Sequence, residues 1–332
     1  MKKILSLACA FVLTMTVLAG CSSSPNSSAQ ESSNSKESSL TSDVSDTGSE
    51  TAGTGTRTVS TIKGDIVVPE SPQRVVVNWY VGDAISAGLN VVGYYCWAQE
   101  TMPYYDTLMA STSIENWEPE DVMQLEPDLI ITYSEDDFDK FSKVAPVLVI
   151  PEQDITSLER VKIIGEATGH TEQANAAVKT FEDKLAAAKE SLNVDSFNGK
   201  TFSIMEDWGA SGEWSGIGYE TGSRGGTLLY KYLEFQWPEK LTQLIEESGQ
   251  GRGTLSYEVA HEYFGDYIIW FRQEGKESDY AKTDIWQSIP AVAENRLIEI
   301  PGEYQGLFYY DDATSLSAQL DFMLEKLLPL AK

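Results

Sequence analysis

Residues 171–192 read TEQANAAVKTFEDKLAAAKESL, a stretch rich in Ala, Glu and Lys that contains neither Gly nor Pro. From Ala174 to Ala188 its apolar side chains recur at intervals of three or four, which is the spacing of one helical face. Thr171 can cap the start of this helix. The pattern predicts one unbroken helix about 33 Å long. Because a single helix between two folded halves gives little hinge freedom, we expect only a small closure of the halves.

The residues before this helix alternate strand patterns with helical patterns. Continuous apolar, β-branched runs separated by helices are typical of a parallel sheet covered on both faces. Ser157 is the expected N-cap of the last helix before residue 171, and Gly169 is its expected stop. The predicted strands are 74–79, 90–95, 128–133 and 146–151. The predicted helices are 82–88, 120–125, 136–144 and 157–168.

The residues after the long helix repeat this alternation. The predicted strands are 201–205, 267–271 and 296–300, and the predicted helices are 226–233, 284–293 and 315–328. The 275 residues from Thr58 to Lys332 exceed what one hydrophobic core usually serves. The fold class is therefore α/β, with two Rossmann-like lobes bridged by one long α-helix.

The N-terminus predicts export. Lys2 and Lys3 precede an apolar run too short to span a membrane comfortably, and the run ends in Leu-Ala-Gly-Cys21. This ending resembles the lipobox of bacterial lipoproteins, in which the cysteine is lipidated; the alternative is an ordinary signal peptide with a chance cysteine. Residues 22–56 are Ser/Thr-rich and predict a disordered tether. The predicted segments are signal peptide 1–20, lipidated Cys21 with tether 21–57, N-terminal lobe 58–170, bridging helix 171–192 and C-terminal lobe 193–332.

Composition excludes several classes of function. Asp and Glu total 51 against 24 Lys and Arg, so the net charge of −27 argues against nucleic-acid binding. Cys9 leaves with the signal and Cys21 takes the lipid, so Cys96 stands alone and no disulfide can form within the processed chain. Two histidines make a directly bound metal improbable, and no cofactor is expected. The chain lacks nucleophile-elbow, Walker and dinucleotide motifs, so we predict no enzyme. A surface glycan-active enzyme is a distant alternative, and an adhesin is a third.

Three passages carry a resemblance to the ABC-importer binding proteins for iron-siderophores, haem and cobalamin. They are RVVVNWYVGDAISAGLNVVGYY at 74–95, PEDVMQLEPDLII at 119–131 and LSYEVAHEYFGDYIIW at 255–270. The resemblance implies the class III periplasmic-binding-protein fold and a monomer on the outer face of the cell membrane of a Gram-positive bacterium. Its implied partners are an ABC permease dimer with a cytoplasmic ATPase. By motif, Glu120 and Glu258 would dock into arginine pockets of the permease.

The expected ligand site is the cleft between the lobes, at the carboxyl ends of the strands. Arg224 resembles the family arginine that contacts the oxygen shell of the iron, and Arg252 is a weaker second candidate. We expect few basic residues around this cleft, which favours a neutral or cationic ferric hydroxamate; cobalamin and haem are the alternatives. The candidate aromatic walls are Trp79, Tyr80, Tyr95, Trp97, Trp208, Trp214 and Tyr219.

Overall fold

Two five-stranded sheets, one on each side of a long helix, form the frame of the protein. The structure is a computed structural model that describes residues 55–153, 155–212 and 215–331. The predicted signal, Cys21, most of the tether and Trp214 lie outside the described residues. The N-terminal strands are β1 Thr56–Thr61, β2 Gly64–Pro69, β3 Val75–Asn78, β4 Val91–Tyr95, β5 Thr112–Ser113, β6 Leu129–Thr132 and β7 Val147–Val149. The N-terminal helices are α1 Val81–Ser86, α2 Tyr105–Met109, α3 Pro119–Met123, α4 Asp136–Phe141 and α5 Ser157–Thr168.

The N-terminal sheet is parallel throughout, in the order β5-β4-β3-β6-β7, and this confirms the four predicted strands. A separate antiparallel hairpin of β1 and β2 was not predicted. Its first strand includes Thr56 and Arg57, which had been assigned to the tether. Arg57 fixes the hairpin to α5, because its guanidinium donates to the carbonyl oxygens of Glu166 at 3.1 Å and Glu70 at 3.3 Å.

The C-terminal lobe departs from a purely parallel sheet. Its strands are β8 Phe202–Asp207, β9 Ile217–Glu220, β10 Arg252–Leu255, β11 Tyr267–Phe271 and β12 Leu297–Ile300. Their order is β10-β9-β8-β11-β12, and β9 runs antiparallel to both of its neighbours. The sequence prediction missed β9 and β10, since these four-residue strands lack the continuous apolar run that marked the others.

Helix boundaries around the lobes required three corrections. Thr156, not Ser157, caps α5: its Oγ1 accepts from the Glu159 amide at 3.2 Å, and the Glu159 carboxylate accepts from the Thr156 amide at 2.8 Å. The helix predicted at 226–233 is a π-helix, Thr227–Tyr232. Pro290 splits the helix predicted at 284–293 into two. The C-terminal helices are α7 Glu239–Ser248, α8 Asp284–Ser288, α9 Pro290–Ala293 and α10 Ala313–Leu327.

The bridging helix α6 spans Thr171–Leu192, as predicted. Thr171 is its first helical residue and not its cap, because the N-cap is His170, which makes no side-chain capping hydrogen bond. The helix buries Ala174 and Val178 in the N-terminal core, and from Phe181 onward it buries Phe181, Ala188 and Leu192 in the C-terminal core. The chain from 307 to 316 also joins the lobes, because Phe308 packs in the C-terminal core while Ala313 packs in the N-terminal core. Residues of the segment 193–332 therefore contribute to both lobes. A small lobe closure stays a prediction.

Candidate functional site

Two neighbouring cavities that share lining residues form the cleft, with volumes of 840 Å³ and 590 Å³. Arg224 and Arg252 line both of them. The larger cavity lies within the C-terminal lobe and is otherwise polar, apart from Trp208. The smaller cavity lies between the lobes, since Trp79 and Glu152 of the N-terminal lobe help to line it. The two arginines thus stand where the cavities meet.

Arg224 is anchored by a buried carboxylate. Its Nε lies 3.1 Å from Oε2 of Glu206, whose side chain is 4% exposed at the end of β8. Gln273 and Gln305 donate to the other oxygen of Glu206 at 3.5 Å and 3.4 Å. The guanidinium carbon also lies 5.8 Å from the Phe271 ring centroid. Because only Nε is engaged within the described residues, the terminal amino groups of Arg224 remain available to a ligand.

Arg252 has an equivalent anchor on the neighbouring strand. It is paired in register with Glu220 across β10 and β9, and its Nε lies 3.4 Å from the Glu220 carboxylate. Burial raises the pKa of Glu220, whereas a hydrogen bond from Ser223 and the two arginines oppose this rise. The Arg252 guanidinium lies 6.0 Å from the Trp208 ring centroid. The antiparallel pairing that the sequence prediction missed therefore sets the position of the second arginine.

Aromatic side chains wall the smaller cavity. Trp79 contacts Tyr309 and Tyr310 edge-on, with ring centroids 6.0 Å and 5.4 Å apart. Trp79 has a backbone φ of 70° and Arg224 one of 54°, in the left-handed region that bulky residues rarely adopt. Such strain concentrates at functional sites, where the surrounding structure holds it in place. Two of the five described non-glycine residues with positive φ thus lie at this cleft.

Four of the predicted site residues line the two cavities: Trp79, Trp208, Arg224 and Arg252. Other predicted site residues lie elsewhere. Tyr80 is buried, and its hydroxyl donates to the Ile150 carbonyl at 2.9 Å. Tyr219 is likewise buried in the C-terminal core. Neither tyrosine lines either cavity in this structure, so its place in the cleft wall stays a prediction.

Two further candidates stand outside both cavities. Tyr95 is 41% exposed and stacks on Trp117, with ring centroids 5.6 Å apart. Trp97 packs behind Tyr309 at a centroid distance of 4.2 Å and so supports the wall instead of forming it. Trp214 lies outside the described residues, and its role stays a prediction.

The expected scarcity of basic residues was wrong. Lys276 lines the larger cavity in addition to Arg224 and Arg252. Glu206, Glu220 and Glu274 match these three cations, and Glu152 and Asp311 add acidity to the smaller cavity. The excess of carboxylates over cations, five to three, therefore disfavours a ligand that carries several negative charges.

The sequence prediction missed Tyr309, Tyr310, Glu206 and Glu220. The two tyrosines belong to the run GLFYYDD at 306–312, just before α10, where three aromatics followed by two acids were a usable signal. The two glutamates had no comparable signal, because a carboxylate next to a strand is common in so acidic a chain.

Glu120 and Glu258 are both exposed and line neither cavity. Glu120 lies in the first turn of α3, after the edge strand β5, and Glu258 follows the edge strand β10. A hydrogen bond from Ser256 and one from its own backbone amide lower the pKa of Glu258. The two glutamates therefore occupy comparable positions on the two lobes.

Within residues 55–153, 155–212 and 215–331, no helix combines the length and apolarity needed to cross a membrane. The same described residues contain no group of three or more His, Cys, Asp or Glu side chains that could hold a metal ion.

Comparison with known proteins agrees with this architecture. The model of the family described as periplasmic binding protein matches residues 99–304. The iron(3+)-hydroxamate-binding protein YxeB of Bacillus subtilis is 30% identical, over 83% of this chain and 86% of its own length. The probable siderophore-binding lipoprotein YfiY of the same species is 26% identical, over 90% of this chain and 91% of its own.

A solved structure gives the same result. A FhuD-fold periplasmic binding protein component of a ferrichrome ABC transporter from Bacillus subtilis superimposes with a TM-score of 0.66 at 28% identity. The match covers 80% of this chain and 98% of that one. With its two α/β lobes on one bridging helix and a cleft between them, the chain belongs to the periplasmic binding protein family.

Proposed function

We propose that this protein is the substrate-binding component of an ABC importer and captures a ferric siderophore of the hydroxamate type. The observation that carries the proposal is the pair of arginines in the cleft, each anchored through Nε by a buried glutamate. The hydroxamate specificity of the 30% identical relative supports the same cargo. The iron is cargo inside its chelator, and the protein is expected to need no cofactor.

A ferric trihydroxamate presents polar metal-bound oxygens and an apolar periphery. Guanidinium groups suit the oxygens, because they donate planar, charge-assisted hydrogen bonds. The rings of Trp79, Tyr309 and Trp208 suit the periphery. Since carboxylates outnumber the cations of the cleft, a neutral or cationic complex is favoured over a multiply anionic catecholate.

A tryptophan-fluorescence titration of the purified protein tests this cargo. Ferrioxamine-type and ferrichrome-type complexes are expected to quench the emission, because they place a metal complex against Trp79 and Trp208. Ferric catecholates are expected to bind more weakly, and the iron-free chelators serve as controls. Tight cobalamin or haem binding without a response to any ferric siderophore would contradict the cargo but not the family.

The proposed partners are an ABC permease and its ATPase. The protein is a monomer and contacts the permease through Glu120 and Glu258. Replacing either glutamate by alanine is expected to leave ligand affinity intact and to cripple uptake, since both lie outside the cavities. The measurements are the ligand titration and iron-55 uptake by cells that carry the variant. A tenfold weaker ligand affinity with normal transport per bound ligand would contradict the assignment.

We also place the protein outside the cytoplasm, held to the membrane by a lipid on Cys21. The sequence Leu-Ala-Gly-Cys at 18–21 supports this anchor. Cys21→Ala is expected to release the protein into the medium or to leave it unprocessed, as judged by cell fractionation.

A further inference from the structure

The two cavities of the cleft differ in charge. The larger one carries three cations against two carboxylates, because Lys276 lines it together with Arg224 and Arg252. The smaller one carries the same two arginines but three carboxylates, which belong to Glu152, Glu220 and Asp311. The excess of carboxylates in the cleft is therefore confined to the smaller cavity between the lobes.

Asp311 can accept a further hydrogen bond. Its side chain is 40% exposed, and one of its carboxylate oxygens accepts from Arg160 at 3.0 Å. The other oxygen has only the Thr227 hydroxyl, at the long distance of 3.4 Å. Arg160 lines neither cavity, and buried Asp83 shares its charge at 2.9 Å. Because a carboxylate oxygen has two acceptor positions, Asp311 can still take a donor from a ligand.

Glu152 and Glu220 differ in the charge that they leave uncompensated. Glu220 is buried, and Arg252 and Ser223 occupy its carboxylate. Glu152 is exposed, and no side chain in the described part of the protein forms a hydrogen bond or an ion pair with it. Glu152 therefore adds a negative charge without a partner to the smaller cavity.

A neutral acceptor belongs to the same cavity. Gln319 of α10 is 1% exposed and lines the smaller cavity. Its amide nitrogen donates to the Tyr310 carbonyl at 2.6 Å and to the Leu307 carbonyl at 2.9 Å, which uses both N–H groups and fixes the orientation of the amide. Among residues 55–153, 155–212 and 215–331, no group donates to its oxygen. An acceptor left open at a cavity wall favours a ligand that donates.

Three aromatic rings complete the smaller cavity. The rings of Trp79, Tyr309 and Tyr310 contact one another, with centroid distances of 4.9 Å, 5.4 Å and 6.0 Å. The face of an aromatic ring attracts a cation, most strongly when the cation is partly removed from water. A primary ammonium group has three N–H donors and a positive charge, and it accepts no hydrogen bond. The open acceptors and the rings together therefore match an ammonium group.

We propose that the smaller cavity selects ferric hydroxamates whose periphery ends in a primary ammonium group, and that Glu152 and Asp311 determine this selectivity. The inference rests on the proposed function and specifies the charge and the orientation of its cargo. The metal-bound oxygens meet Arg224 and Arg252, and the ammonium tail enters the smaller cavity between the lobes. A complex whose tail is neutral loses the attraction of the two carboxylates.

Two matched complexes test the selectivity: a linear ferric trihydroxamate that ends in a free amine, and the same complex with its amine acetylated. Their dissociation constants for the purified protein are measured by tryptophan quenching, at low and at high salt. The wild-type protein is expected to bind the amine form about fivefold to tenfold more tightly, as for a partly desolvated ammonium group against carboxylates and rings. High salt should reduce this ratio, because it screens exposed charges.

Neutral variants locate the selectivity. Glu152→Gln and Asp311→Asn remove a charge and keep the shape of the side chain. Each is expected to lower the preference for the amine form about twofold to threefold, and the double variant should reduce it to about twofold or less. Melting temperatures check the fold, because Asp311→Asn weakens a contact of Arg160 whereas Glu152 has no partner in the described part of the chain. Glu325→Gln is the control: it removes an exposed carboxylate of α10 outside both cavities and should keep the wild-type ratio.

The two complexes also separate the selectivity from the cargo. Equal affinity of the wild-type protein for both complexes would overturn the selectivity and leave the proposed cargo intact. A preference that persists unchanged in the double variant would overturn the roles of Glu152 and Asp311. If neither complex binds, the proposed cargo fails and the selectivity fails with it.

Discussion

Arg224→Ala is expected to weaken ferric hydroxamate binding by about 1.5–3 kcal/mol, the range for a hydrogen bond to a charged group. The variant also leaves the buried Glu206 carboxylate with only the distant amides of Gln273 and Gln305. Breaking such a pair should lower the free energy of unfolding by about 3 kcal/mol. Titration and chemical denaturation measure the two losses separately.

A second substitution separates the binding role from the structural one. The double variant Arg224→Ala/Glu206→Gln no longer has the uncompensated carboxylate of Glu206. Its free energy of unfolding should therefore recover, while its ligand affinity stays low. Arg224→Lys should rescue binding only in part, because the planar fork is lost. Arg296→Ala is the control: it removes an arginine of similar burial, paired with Glu294 at 2.7 Å and outside both cavities. Recovery of affinity in the double variant would show that Arg224 acts only on the fold.

Arg160→Met is expected to lower the free energy of unfolding by about 3–5 kcal/mol, because it removes the partner of a buried charge. Arg160 lies 2.9 Å from Asp83 of α1 and 3.0 Å from Asp311, which lines the smaller cavity. It also covers the Tyr80 ring at 4.6 Å. Lys184→Ala is the control, since its exposed pair with Asp321 should contribute less than about 1 kcal/mol. A loss as small as that of the control would contradict the prediction.

The effect of Arg160→Met should depend on pH. Burial raises the pKa of Asp83 from 3.8 to about 7, whereas Arg160 opposes that rise. A carboxyl whose pKa is higher in the folded state contributes stability that is present below pH 4 and is lost as the pH rises toward 7, by at most about 1.4 kcal/mol per pH unit. Without Arg160 the pKa of Asp83 rises further, and the loss of folding stability extends above pH 7. The variant should therefore be more defective at pH 8 than at pH 5 in denaturation experiments, and equal defects would contradict this account.

The helix α6 and the parallel strands were readable from the sequence because they depend on local order. A 22-residue run without Gly or Pro has few alternatives to a helix, and continuous β-branched runs have few alternatives to buried strands. The motifs at 119–131 and 255–270 lie within the region matched by the family. The class of protein was therefore recognisable from the resemblance that these short motifs carry.

The composition of the cleft depended on tertiary structure. Trp79 and Tyr80 are neighbours in sequence, yet the positive φ of Trp79 leaves one ring at the cavity and the other in the core. Arg252 meets Glu220 only because β10 pairs with β9 in one particular register, and a shift by one residue would turn the side chain to the other face. Two α/β lobes on one helix could be predicted from local patterns, since periodicity and propensity act over a few residues. The aromatics and carboxylates that meet Arg224 and Arg252 could not, since side-chain direction and strand register depend on residues far apart in the chain.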